Sequence, residues 1–217
     1  EETVRQAGDV GTVVGAPCDV SDRPAARALV SGTRERYGSL DILVCSHGVY
    51  DADTPFLEMT DEHWDRTLGI NLDGSFVLAQ AAARVMADDG VAGRIVFISS
   101  INGLASEPNC CDYNTSKAGL HGLARSIAYD LAPHGITVNV IAPGWVRSPM
   151  SAPYLSEDVL SGRQRFNMTG RVGEPEDIAG AVAWLVDPSS SYVTGTVVPV
   201  DGGQAAMLPM PSSVNIE

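Results

Sequence analysis

Two side chains suited to proton transfer stand four residues apart in this sequence. Tyr113 and Lys117 lie in the stretch DYNTSKAGLHGLARSIAYDL, residues 112–131, and Lys117 is the single lysine among 14 basic residues. On a helix, positions i and i+4 share a face about 6 Å apart, so both groups can act on one object. A tyrosine with a pKa near 10 must fall by roughly 3 units to exchange a proton near neutrality, which costs ~4 kcal/mol. An ammonium about 4 Å away, at an effective dielectric of ~20, supplies an energy of that order. Lysine's compact charge and three donors also suit a sugar diol better than the planar fork of arginine. Thirteen residues before Tyr113, Ser100 follows the apolar run IVFIS. A hydroxyl at a strand's carboxyl end is placed to hydrogen-bond a substrate carbonyl.

Positioning such a trio requires a strand and a helix in succession, and the chain repeats that alternation. Short apolar runs predict strands at 11–18, 41–46, 94–99, 136–142 and 195–200. Ile95, Val96, Phe97 and Ile98 are apolar at every position, as in strands of a parallel sheet covered on both faces. Longer amphipathic segments predict helices at 22–37, 61–87, 112–132 and 175–186. In the third, Leu120, Leu123, Ala124, Ile127, Ala128 and Leu131 form one apolar stripe. Strand and helix in alternation predict an α/β fold with a doubly wound parallel sheet, in a single domain spanning 1–217. The connection 143–173, with a weak helical patch near 156–166, starts at a strand's carboxyl end and reads as a substrate-pocket wall or lid. After Gly203 the tail shows no period and reads as extended surface or interface.

Composition narrows the partners. A formal charge of −13, spread without a basic cluster, argues against nucleic acid and anionic membrane surfaces. No apolar run approaches the ~18 residues of a membrane span, and residues 1–10 resemble neither a signal nor a transit peptide. Cys18, Cys45, Cys110 and Cys111 show no metal-binding spacing, which predicts no metal site and a reduced, cytoplasmic protein. Cys110 and Cys111 read as packing residues, since no histidine base can be assigned to either.

The strand end with Ser100, Tyr113 and Lys117 resembles the S-x12-Y-x-x-x-K core of the short-chain dehydrogenase/reductase family. The resemblance runs from about residue 4 to Gly203. Asn71 in INLDGSF matches the family's helix asparagine, and Asp19-Val20 matches its adenine-binding pair. Gly48 matches the glycine of the family's N-N-A-G, while Pro143-Gly144 with Ser148 resembles its P-G-x-x-x-T. The segment 171–203 is close to the family's last helix and strand. This resemblance implies a Rossmann-like fold and an NAD- or NADP-dependent oxidoreductase that interconverts a secondary alcohol and a ketone. Ketone or 3-oxoacyl reduction and sugar or polyol oxidation both fit it. It implies Tyr113 as the proton donor or acceptor, Lys117 as its pKa-lowering partner and ribose holder, and Ser100 as the group orienting the carbonyl. Asn71 would support a water chain reaching Lys117. Asp19, Val20, Gly48, Tyr113, Lys117, Pro143, Gly144, Val146 and Ser148 would contact the cofactor. Asn102, Cys110, Trp145 and Met150 are pocket candidates by position.

Departures from the pattern carry their own expectations. Cys45-Ser46-His47 stands where the family has its two asparagines, so His47 is either a polar substitute or a solvent-facing loop residue. The glycine-rich phosphate turn and the second strand have no counterpart, so the sequence is expected to lack an N-terminal β-α segment of the longer family chain. The missing first strand would lie between the run at 11–18 and that at 41–46. The competing reading is a catalytically silent module acting through its oligomer interfaces. Cofactor-free lyase or dehalogenase chemistry is disfavoured by Lys117, since such relatives tend to carry arginine there. Small residues on the helices at 61–87 and 112–132 (Ala81, Ala82, Ala83; Ala118, Gly119, Gly122, Ala124) permit close helix approach and predict a homotetramer, or failing that a homodimer.

Overall fold

The apolar runs from residue 41 onward become the sheet that the sequence predicts. The computed structural model describes residues 11–51, 54–157 and 166–207. Its four strands, β1 Ile42–Cys45, β2 Arg94–Ile98, β3 Thr137–Pro143 and β4 Val197–Val200, lie side by side in chain order, and every pairing is parallel. The helices are α1 Arg23–Tyr37, α2 Asp61–Leu68, α3 Gly74–Asp88, α4 Cys111–Leu131 and α5 Pro175–Val186. Ile95, Phe97, Val138 and Val140 pack into one cluster with Ala26 and Val30 of α1, Met86 of α3, and Leu120 and Ala124 of α4. Val96 and Ile141, on the opposite face, pack against Leu185 of α5. The sheet is therefore wound on both sides, in a Rossmann-like α/β arrangement. Each fully buried large side chain, such as Phe97, Ile95 or Leu120, contributes about 1.5–3 kcal/mol by leaving water.

Local signals set the helix ends. Asp22 caps α1 by accepting from Ala25 N at 3.0 Å, and Pro24 occupies the first turn, where a missing N–H costs nothing. The same helix stops at Gly38, whose φ of 84° lies in the left-handed region that glycine enters freely. At α5 the cap is reciprocal: Glu174 and Asp177 each accept a backbone N–H from the other's end of the first turn.

Three expectations need correction. The strand expected at 11–18 is not formed: these residues pair with no strand among the described residues, and most are exposed. A strand exists only through a neighbour, and the sequence order had already set an intervening strand between this run and β1. The helix expected at 61–87 is interrupted by a π-helical turn, Gly69–Asp73, which inserts a residue into the helical repeat and separates α2 from α3. Such single-turn π segments are frequent at functional sites, and this one carries Asn71. In the connection 143–173 a 3-10 turn at Ala152–Tyr154 appears, while the helical patch near 156–166 falls largely on residues outside those described. Beyond Gly203, residues Gln204–Ala206 form another 3-10 turn where extended chain was expected, and the tail from residue 208 lies outside the described residues.

Among the described residues, no helix is long and apolar enough to cross a membrane, and no cluster of three potential metal ligands occurs. All four cysteines are free. Several of the small helix residues serve packing within the chain. A Cβ on Gly119 would come within 2.8 Å of Leu72, and Ala82 and Ala124 are buried in the core.

Candidate active site

The carboxyl ends of β1, β2 and β3 open into one cavity of about 570 Å³. Residues from the turns after these strands, from α4 and from the start of α5 line it, as expected at the carboxyl edge of a doubly wound sheet. Ser100, Asn102, Tyr113, Lys117, Gly48, Pro143, Gly144, Trp145, Val146, Ser148 and Met150, all singled out in the sequence, stand on its wall. Four predicted residues do not. Asn71 sits directly behind Gly48; Asp19 and Val20 lie by the start of α3, where Val20 abuts Gly74. Cys110 is buried behind the wall, its Sγ near Glu107 O and Asn114 Oδ1, so it is a packing residue and not a pocket residue.

Each catalytic candidate is fixed by a local device. Ser100 caps the 3-10 turn Ile101–Gly103, accepting Asn102 N–H at 3.1 Å and donating to Asn102 Oδ1 at 3.2 Å. Tyr113 and Lys117 lie one turn apart near the start of α4, with Lys117 Nζ 5.5 Å from the Tyr113 ring centroid. Lys117 is only 4% exposed, and its ammonium donates to Ile98 O at 3.1 Å, the main-chain end of β2. Neighbouring Ser99 donates to Lys117 O at 2.9 Å and meets His121 Nε2 at 2.9 Å, which ties the strand end to the helix.

Asn71 is wholly buried and acts as a bracket. Its amide donates to Val49 O at 3.0 Å and to Ser116 Oγ at 3.1 Å, and its Oδ1 accepts Val49 N–H at 2.8 Å. Ser116 in turn donates to Tyr113 O at 2.8 Å. The π turn thus holds both the loop after β1 and the helix carrying Tyr113. His47, left open by the sequence between two roles, is half-buried and faces inward. Its Nε2 lies 3.1 Å from Ser75 Oγ, and Ser75 donates to Asn71 O at 2.9 Å.

Electrostatics depart from the simplest expectation for the Tyr-Lys pair. Burial pushes the Tyr113 phenol up to about 12, with nearby Glu107 and Cys110 adding to the rise and the hydrogen bond with Ser100 opposing it. Burial likewise pulls Lys117 down to about 8, against a small opposing effect of Cys45. The expected depression of Tyr113 is therefore not a property of the chain alone. Burial also lowers His47 and His121, and the Lys117 charge adds to both shifts.

The residues present fit the nicotinamide-ribose half of a dinucleotide. Lys117 is nearly inaccessible yet spends one of its three donors on Ile98 O, leaving two without an acceptor among the described side chains and main-chain oxygens. A Cβ at Gly48 would come within 3.3 Å of both Lys117 Nζ and Asn71 Oδ1, so glycine keeps this approach open. On the adenine side, Asp19 Oδ1 accepts from Ser21 N at 2.9 Å and Ser21 Oγ at 2.7 Å, while no described residue donates to its Oδ2.

Sequence comparison decides the assignment. Residues 1–205 match the family model described as enoyl-(acyl carrier protein) reductase. The chain belongs to the short-chain dehydrogenase/reductase family. It is 37% identical over 201 residues to the 3-oxoacyl-[acyl-carrier-protein] reductase MabA of Mycobacterium bovis, covering 93% of this chain and 80% of that protein. It is 36% identical over 211 residues to the mouse (Mus musculus) (3R)-3-hydroxyacyl-CoA dehydrogenase, covering 94% and 81%. A crystal structure assigned as a short-chain alcohol dehydrogenase from Sinorhizobium meliloti 1021 superposes with a TM-score of 0.83 at 35% identity, covering 90% of this chain and 77% of that one. The short-chain dehydrogenase/reductase chain is an NAD(P)-dependent oxidoreductase acting between a secondary alcohol and a ketone.

Several cavity residues escaped the sequence reading, three of them polar or aromatic side chains grouped around Tyr113. Tyr50, Glu107 and Tyr154 belong to turns without a motif of their own, and all line the cavity. Tyr50 packs edge-on against Tyr113 at 4.8 Å between centroids and against Tyr154 at 5.8 Å, while Trp145 meets Tyr154 at 6.1 Å. The available signal was position: Tyr50 follows Gly48 by two residues, and Glu107 lies between Ser100 and Tyr113.

Proposed function

We propose that Tyr113 is the general acid-base of this oxidoreductase, that Lys117 and Ser100 are its direct partners, and that Asn71 positions them. In the oxidising direction the substrate hydroxyl gives its proton to Tyr113 Oη, and in the reducing direction Tyr113 returns it to the carbonyl oxygen. A bound nicotinamide supplies the chemistry of accepting or returning the hydride. Ser100 turns its hydroxyl from Asn102 to the substrate oxygen and so orients it. Lys117 holds the ribose diol with its two remaining donors and biases Tyr113 toward the phenolate. Gly48, Pro143, Gly144, Val146 and Ser148 form the nicotinamide wall, with Asp19 and Val20 toward the adenine. Asn102, Trp145 and Met150 face the substrate.

The observation that carries this reading is the convergence of Ser100, Tyr113 and Lys117 on one cavity at the strand ends. Two substrate classes enter the proposal: 3-oxoacyl or 3-hydroxyacyl thioesters, for which the mycobacterial and mouse relatives are named, and sugar-type polyols. The described residues act as one unit, with residues 143–151 and Tyr154 contributing to the pocket wall. We further propose a cytoplasmic homotetramer, or a homodimer, joined through α3 and α4. Exposed Tyr129 on α4, 84% accessible, and Phe76 on α3 support that surface, and light scattering at known concentration measures the assembly.

The function is tested by following nicotinamide absorbance with NAD and with NADP over a panel of secondary alcohols and ketones. Turnover by the native chain, lost in Tyr113→Phe, supports the reading. A native chain and a Tyr113→Phe variant with equal rates would refute it.

A further inference from the structure

Beside the motif residues, joined to Ser100 through Asn102, the cavity wall carries a carboxylate that the family motif does not account for. Glu107 is held rigidly. Its Oε2 accepts Asn102 Nδ2 at 2.9 Å and lies 3.5 Å from Tyr50 Oη, while its carbonyl accepts Asn114 Nδ2 at 2.9 Å. Its loop is pinned beyond this by Asn109, which has a left-handed φ of 58°, and by Thr54 N donating to Asn109 O at 2.9 Å. The other carboxylate oxygen, Oε1, accepts from no described residue, and no described cation pairs with the group.

We infer that Glu107 is a specificity residue that selects a substrate with a second hydroxyl beside the reacting carbon, a vicinal diol or α-hydroxy ketone of the sugar or polyol type. The inference rests on the oxidoreductase reading above and refines it. Tyr50 bridges the two groups, with its ring on Tyr113 and its hydroxyl reaching toward Glu107, so the carboxylate stands one aromatic ring from the acid-base phenol. An ionised carboxylate is an acceptor only. A hydroxyl donating to Oε1 forms a charge-assisted hydrogen bond in a sheltered pocket. A 3-oxoacyl thioester brings carbonyl oxygens near its reacting carbon, acceptor against acceptor, and such a mismatch penalises binding. Tyr50, Tyr154 and Trp145 offer aromatic faces to the C–H side of a compact ring. Arg147, the fixed cation besides Lys117 among the described cavity residues, is already paired with Glu174, Nε to Oε1 at 3.2 Å.

The test uses the full chain and matched alcohols: cis-cyclohexane-1,2-diol, cyclohexanol, and the 3-hydroxybutyryl thioester of N-acetylcysteamine. We expect kcat/KM for the diol to exceed that for both others by about tenfold or more, the scale of one charge-assisted hydrogen bond. In Glu107→Gln, and independently in Tyr50→Phe, the ratio of diol to cyclohexanol contracts; a ratio unchanged in Glu107→Gln, or a thioester preferred by the native chain, overturns the inference. Circular dichroism of each variant separates loss of selectivity from loss of fold. If the native chain oxidises none of the three, the oxidoreductase reading is judged separately on the wider panel above, and saturation-transfer NMR still decides the role of Glu107. Transfer to the diol exceeding that to cyclohexanol, and abolished in Glu107→Gln, upholds it; equal transfer to both overturns it.

Discussion

The two sides of the cavity differ in how they are held and in what they owe to the sequence pattern. On the Tyr113 side, the proposed chemistry sits on regular elements: a strand end for Ser100 and one helical turn for Tyr113 and Lys117. On the Glu107 side, three loops supply Tyr50, Glu107 and Tyr154, and side-chain hydrogen bonds and ring packing hold them. The first side repeats what a whole family needs in order to move a proton. The second is free to vary, which makes it the place where one member differs from another. A rigid scaffold carrying its specificity on loops is the general arrangement in α/β enzymes.

Removing the charge on the motif side sharpens the contrast most. Lys117→Met is expected to lower kcat/KM by about 10² to 10⁴, the range of a lost acid-base partner, while raising stability. The sign follows from burial. The folded value of about 8 lies below the ordinary 10.5, so between these values the unfolded chain binds one more proton and stability rises with pH. Methionine abolishes that slope. Its gain, on the order of 1–3 kcal/mol, is full below pH 8 and gone above about pH 10.5, and denaturant midpoints across that window measure it.

Next in size is the bracket beneath both sides. Asn71→Ala leaves Val49 and Ser116 without their partners and is expected to cost about 2–4 kcal/mol, read as a fall in the urea midpoint. On the loop side, Glu107→Gln removes one of the groups that raises Tyr113, so the ascending limb of the pH-rate profile for alcohol oxidation, where Tyr113 loses its proton, moves to lower pH. A limb that stays in place would mean that the carboxylate is electrically remote from the phenol. The smallest effect is expected at the edge of the bracket. His47→Asn, which restores a neutral amide near Ser75, should change kcat by about threefold or less, whereas His47→Asp would place a negative charge beside Lys117 and slow turnover further.

Much of the motif side was legible because spacing carries geometry. A lysine four residues after a tyrosine shares its helix face, and a serine after an all-apolar run ends a buried strand. The apolar stripe from Leu120 to Leu131 likewise packs where its period places it. Less was legible wherever an element depends on distant partners. The run at 11–18 has strand composition but no neighbouring strand among the described residues. The π turn at Gly69–Asp73 leaves no periodic trace, because one inserted residue shifts the stripe without erasing it. Cys110 was assigned to the pocket by proximity in sequence, yet the turn preceding α4 points it into the interior. Glu107 and Tyr50 carry no local signal of function, since a loop glutamate and a loop tyrosine are ordinarily solvated.

The central claim is that Tyr113 moves the proton that accompanies hydride transfer. It is tested most directly by single-turnover reduction of NAD(P) with a secondary alcohol, comparing the native chain with Tyr113→Phe, which keeps the ring and its packing on Tyr50. The account predicts a rate lower by about 10² or more in the variant, with cofactor affinity and fold preserved. A variant that transfers hydride as fast as the native chain would contradict it.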